Sequence, residues 1–63
     1  MRRMELRARF LRIYADLPLN LRREIILVLE TMPLTWNAAY VEVLNKNAKS
    51  GIILRKLAEL GII

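Results

Sequence analysis

Apolar positions over the first 17 residues fall into two helical stripes. Met4, Ala8, Leu11 and Ala15 follow i, i+4, i+7, i+11 spacing, and Leu6, Phe10, Ile13 and Leu17 repeat it on another side. Residues 2–15 contain no Pro or Gly and are rich in good helix formers, so the pattern predicts a helix able to pack against two neighbours. Between the stripes run a polar strip of Arg2, Glu5, Arg9, Arg12 and Asp16 and a narrower one of Arg3, Arg7 and Tyr14. The sequence Leu17-Pro18 ends this helix, because proline cannot continue it and disfavours helical backbone at the preceding residue.

From Asn20, a good N-cap, Leu21, Ile25, Val28, Leu29 and Met32 share one helical face, which predicts a second helix over residues 20–31. The competing reading is a short buried strand over residues 25–29, where β-branched residues are frequent. Residues 40–44 are then its candidate partner, yet their pattern suits a helix better. Met32-Pro33-Leu34 reads as a turn. Thr35 is placed to cap a helix beginning at Trp36, whose Trp36, Ala39, Tyr40, Val43 and Leu44 form one apolar face. Asn45-Lys46-Asn47 closes that segment. A last helix runs from Ser50, read as its cap, to Leu60, with Gly61 as its stop and Ile53, Leu54, Leu57 and Leu60 as its buried face. The expected fold is all-α: one domain spanning residues 1–63, a compact cluster of about four short helices with short connections. The alternative is α+β with a short strand at 25–29.

A chain of 63 residues has a core that rarely supplies more than about 3–5 kcal/mol, and small proteins add disulfides, a metal or a partner. Neither Cys nor His occurs, so no disulfide forms and a structural zinc lacks its usual ligands. With 56% hydrophobic residues, the chain has more apolar surface than one small core hides, and self-association or a protein partner is the expected supplement. Ile26, Leu27, Ile52, Ile62 and Ile63 are the candidate interface residues. The longest unbroken apolar run, Ile25 to Leu29, falls far short of the roughly 20 residues needed to span a bilayer. Arginines interrupt any leader-like core near the N-terminus, so a cytoplasmic location is expected. The absence of Gln and Cys, with Arg, Lys and Glu prominent, follows a trend of proteins from hot environments.

Catalytic chemistry has little to work with. The chain offers one Ser, two Thr and six acids, with no base to activate Ser50. Spacing pairs Glu5 with Arg9 and Glu42 with Lys46 as helix-surface ion pairs. We expect no enzymatic activity, cofactor, metal site or small-molecule substrate. Net charge is +5, from eleven basic and six acidic side chains, which biases the chain toward polyanions or simply keeps it soluble. Arg2, Arg3, Arg7, Arg9 and Arg12 form one candidate group of phosphate ligands; Lys46, Lys49, Arg55 and Lys56 form a second. Trp36 and Tyr40, one turn apart, could stack on a single-stranded base, although such a pair is more often core.

The run Leu54-Arg55-Lys56-Leu57-Ala58-Glu59-Leu60-Gly61-Ile62-Ile63, with its Leu-x-x-Leu-x-x-Leu-Gly pattern, resembles the end of the recognition helix in winged-helix and helix-turn-helix DNA-binding domains. The resemblance covers residues 48–63. It implies that residues 36–47 supply the preceding helix and turn, and that the exposed start of the last helix faces the major groove. Three expectations therefore stand. The first is a protein-association module, a homodimer or small subunit. The second is a helix-turn-helix-like DNA binder, and the third is RNA or non-specific nucleic-acid binding.

Overall fold

The computed structural model describes residues 5–63. Its first helix, α1 (Leu6–Asp16), buries Phe10 completely, with Leu6, Ile13 and Leu17 of the same stripe packed around it. Leu11 adds to this contact, while Ala8 and Ala15 of the other stripe stay exposed. Through this one face α1 touches both later helices, α2 and α3. The helix stops where Pro18 forbids its continuation. Leu17 is extended, its N–H donating to the Tyr14 carbonyl. A single 3₁₀ turn, Leu21–Arg23, follows.

Here the chain departs from the all-α, four-helix expectation. Residues 25–29 are a strand, β1 (Ile25–Leu29), paired antiparallel with β2 (Met32–Thr35) across Glu30 and Thr31, so the arrangement is α+β, with three helices and one hairpin among the described residues. The helical reading of 20–31 fails for a physical reason. Ile25, Ile26 and Val28 are β-branched and favour a pleated surface, and a hairpin can bury Leu27 beside Leu34 against the helices. The partner strand is the segment read as a turn. Pro33 lacks an N–H and is tolerated because it lies in an edge strand, opposite Val28 at a position that needs none. A bulge at Ile26 leaves Ile25 opposite Thr35 and Leu27 opposite Leu34. Its effect on side chains is direct: Ile25 and Val28 both point outward, with Leu27 in the core between them.

The next helix, α2 (Trp36–Asn45), starts at the expected cap: the Ala38 N–H donates to Thr35 Oγ1 at 3.0 Å. Trp36, Ala39 and Val43 are its buried face, with Tyr40 half-buried, whereas Leu44 is exposed. Lys46 takes the left-handed conformation (φ 54°, ψ 34°) that turns the chain. The final helix, α3 (Ala48–Glu59), begins two residues before the predicted Ser50, because Asn47 is the cap and accepts from the Ser50 N–H at 3.1 Å. Ser50 Oγ in turn donates to the Asn47 carbonyl. Gly61 stops the helix at φ 77°. The Ile62 N–H donates to the Leu57 carbonyl at 2.9 Å and the Gly61 N–H to the Ala58 carbonyl at 3.1 Å, the paired bonds of a Schellman cap. This cap folds the tail back, so Ile63 joins Ile53, Leu54 and Leu57 in the core, while Leu60 is 61% exposed instead of buried.

Candidate association surface and basic groups

The structure sorts the expected phosphate ligands by what else they do. Arg2 and Arg3 lie outside the described residues. Arg9 is half-buried and donates from Nη2 to the main-chain oxygen of Ile63, which ties α1 to the segment after α3. Arg7 is also half-buried, with its Nε enclosed and lacking a hydrogen-bond partner among the described residues. Of the described members of the first group, only Arg12 is fully open. All of the second group, Lys46, Lys49, Arg55 and Lys56, are exposed. Lys49 and Lys56, seven apart, share one stripe of α3 with the exposed Ile52. Arg55 lies about 100° round the helix from Lys56. Neither Arg9 nor Glu42 makes its anticipated i, i+4 hydrogen bond: Arg9 goes to Ile63, and Glu42 Oε1 accepts from Asn47 Nδ2 at 2.9 Å.

The aromatic residues are also committed. Trp36 is buried with its ring 5.5 Å from that of Phe10. Tyr40 stacks on Tyr14 with ring centres 4.2 Å apart and planes within 5°. The Arg22 guanidinium lies 4.3 Å from the Tyr14 ring centre. Two groups so close to one ring must occupy opposite faces, so Tyr14 is sandwiched between a cation and a second ring. Its hydroxyl donates to Asn37 Oδ1 at 2.6 Å. The helical pattern alone puts Tyr14 on a polar strip and gives no sign of this stack, since Arg22 and Tyr40 reach it only in the folded chain.

The apolar surface differs from the one expected. Leu27 and Ile63 are each 8% exposed and belong to the core, and Ile26 and Ile62 pack against it. The pleat turns Leu27 inward and the Schellman cap does the same for Ile63. Of the five candidates only Ile52 is exposed. The open apolar residues are instead Ile25 at 60% and Val28 at 59% on the outer face of β1, and Met32 on the opposite face of the hairpin, across from Leu29. Leu19, Val41, Leu44 and Leu60 add further exposed apolar area. Where the hairpin meets α2 and α3, an open cleft of about 300 Å³, solvent-facing space included, is floored by Leu29, Met32, Leu34 and Ile53. Glu30, Glu42 and Lys49 stand at its rim. Among the described residues no group of three or more His, Cys, Asp or Glu side chains gathers to hold a metal ion, and no helix is long and apolar enough to cross a membrane.

No protein-family model, curated protein or solved structure matches the chain.

Proposed function

We propose that the chain acts by binding rather than by chemistry, as a small basic module of the cytoplasm that associates with a second copy of itself. The observation that carries this reading is the outer face of the hairpin. Ile25 and Val28, about 60% exposed, sit side by side on a strand that is uncharged from end to end. A core this small, ten buried residues among those described, in a chain of this size supports only a few kcal/mol, roughly 3–5, so covering that face adds stability where it is needed. Light scattering over a dilution series tests it: dimer mass at high concentration supports the reading, and monomer mass throughout sinks it.

A second reading, DNA binding through α3, draws on the exposed stripe of Lys49 and Lys56 and on the recognition-helix resemblance. Fluorescence anisotropy of labelled duplex DNA and single-stranded RNA at low and raised salt tests it. Tight, salt-sensitive binding lost in Lys49→Ala and Lys56→Ala would support it. No binding at low salt would leave these lysines as solvated surface.

A further inference from the structure

The two edges of the hairpin are not equivalent. In an antiparallel pair, positions that exchange main-chain hydrogen bonds alternate with positions whose N–H and C=O point away from the partner. The Trp36 N–H donates to the Glu24 carbonyl at 3.3 Å. Ile25, next along and opposite Thr35, therefore turns its main-chain groups to the outside. Val28 does the same, because it stands opposite Pro33, which has no N–H to give. The bulge at Ile26 is what lets residues three apart share this orientation. On β2 the outward positions are Pro33, which has no donor, and Thr35, where the chain already turns into α2, so that edge is blunted. On β1 the outward positions are Ile25 and Val28. Among the described residues the main chain of Ile25–Leu29 makes no hydrogen bond outside the hairpin, and that strand carries no charge and no Pro.

We infer that β1 pairs with β1 of a second copy, antiparallel about a two-fold axis between Ile26 and Leu27, so that Ile25 faces the partner's Val28 and Val28 the partner's Ile25. This deepens the association reading above and rests on it. Three features converge on that register. Ile25 and Val28 are the positions whose main-chain groups point outward, so each such pair exchanges two hydrogen bonds. Both side chains are exposed on the same face, so four apolar side chains form one continuous stripe across the junction. The same register brings Arg23, exposed at the start of the hairpin, toward the partner's Glu30, exposed at its tip, twice by symmetry. Sliding the pairing by one residue, so that the axis passes through Leu27, instead sets Glu24 against the partner's Glu30. It also matches outward Ile25 with inward Leu29. The product is a four-stranded antiparallel sheet in the order β2, β1, β1, β2, with a proline-bearing strand at both outer edges.

Because the chain has no cysteine, the register can be read by disulfide trapping. Ile25→Cys and Val28→Cys are made separately in the full chain, mixed, and oxidised. Hydrogen-bonded pairs hold Cα atoms about 5.5 Å apart, inside the range a disulfide needs. We expect the mixture to yield Ile25→Cys/Val28→Cys heterodimers in large excess over either homodimer, and Val28→Lys, a change at an exposed position, to shift the chain from dimer to monomer with its circular dichroism retained. Equal trapping in every combination, no trapping, or a dimer that survives Val28→Lys overturns this pairing. If the wild-type chain is still a dimer by light scattering when that happens, association proceeds through another surface. If the wild-type chain is monomeric, both the pairing and the association reading fall.

Discussion

Arg9 in α1 and Ile63 in the tail beyond α3, 54 positions apart in sequence, meet through a hydrogen bond from the Arg9 guanidinium to the Ile63 main-chain oxygen. The bond holds the Ile63 side chain in the core and gives a basic residue a structural task. Arg9→Met keeps most of the aliphatic stem and removes the charged donor, which we expect to cost about 1.5–3 kcal/mol. On this small scale each kcal/mol lowers Tm by roughly 4–8 °C. Arg12→Ala, at an exposed site on the same helix, should change stability by no more than about 0.5 kcal/mol. Thermal melts of the two variants check this; equal Tm values would refute a structural task for Arg9.

Trp36 packs against Phe10 where α1 meets α2, and both are buried. Trp36→Ala should cost about 3–5 kcal/mol, comparable to the whole stability of a domain this small. The expected outcome is a chain without a cooperative melt at room temperature. A melt within a few degrees of wild type would contradict the core assignment.

Among the described residues two that are not glycine have left-handed backbone, Glu30 at φ 59° in the hairpin turn and Lys46 at φ 54° between α2 and α3. Such a conformation costs an L-residue about 1–2 kcal/mol, part of which glycine recovers despite its greater freedom in the unfolded chain. Glu30→Gly and Lys46→Gly should each stabilise by about 0.5–1 kcal/mol. Gly61→Ala, at φ 77°, should destabilise by a similar amount, although no atom lies near enough to obstruct the added carbon. Chemical denaturation midpoints measure all three; a loss of stability in both glycine variants would contradict the turn geometry.

The Arg22, Tyr14 and Tyr40 stack couples the loop after α1 to α2. A double-mutant cycle on Tyr14→Leu and Tyr40→Leu should return a coupling of about 0.5–1.5 kcal/mol. Strict additivity would show that the rings are neighbours without being partners.

What the sequence revealed was chiefly local. Thr35 caps α2 and Gly61 ends α3 as their neighbours along the chain require, because capping depends on groups within a few residues. Asn47 and Ser50 stand three apart and either could begin α3; the structure uses the first as cap and hydrogen-bonds it to the second. The strand at 25–29 is the alternative the β-branched residues offer, set second because Leu21, Ile25, Val28 and Met32 also fit a helical repeat; its partner is hidden because Pro33 reads as a breaker. The helical repeat puts Ile25 and Val28 on one apolar face, and their exposure follows only from the bulge and from strand pairing. Leu27 and Ile63 moved in the opposite direction, from candidate interface to core, because contacts far apart in sequence decide their environment. Which basic residues remain free was equally a tertiary matter, as Arg9 shows.

Sedimentation velocity on the full chain over a dilution series tests self-association most directly. We predict a species of twice the chain mass that dissociates toward the single-chain mass on dilution. A single-chain mass at every concentration would contradict self-association.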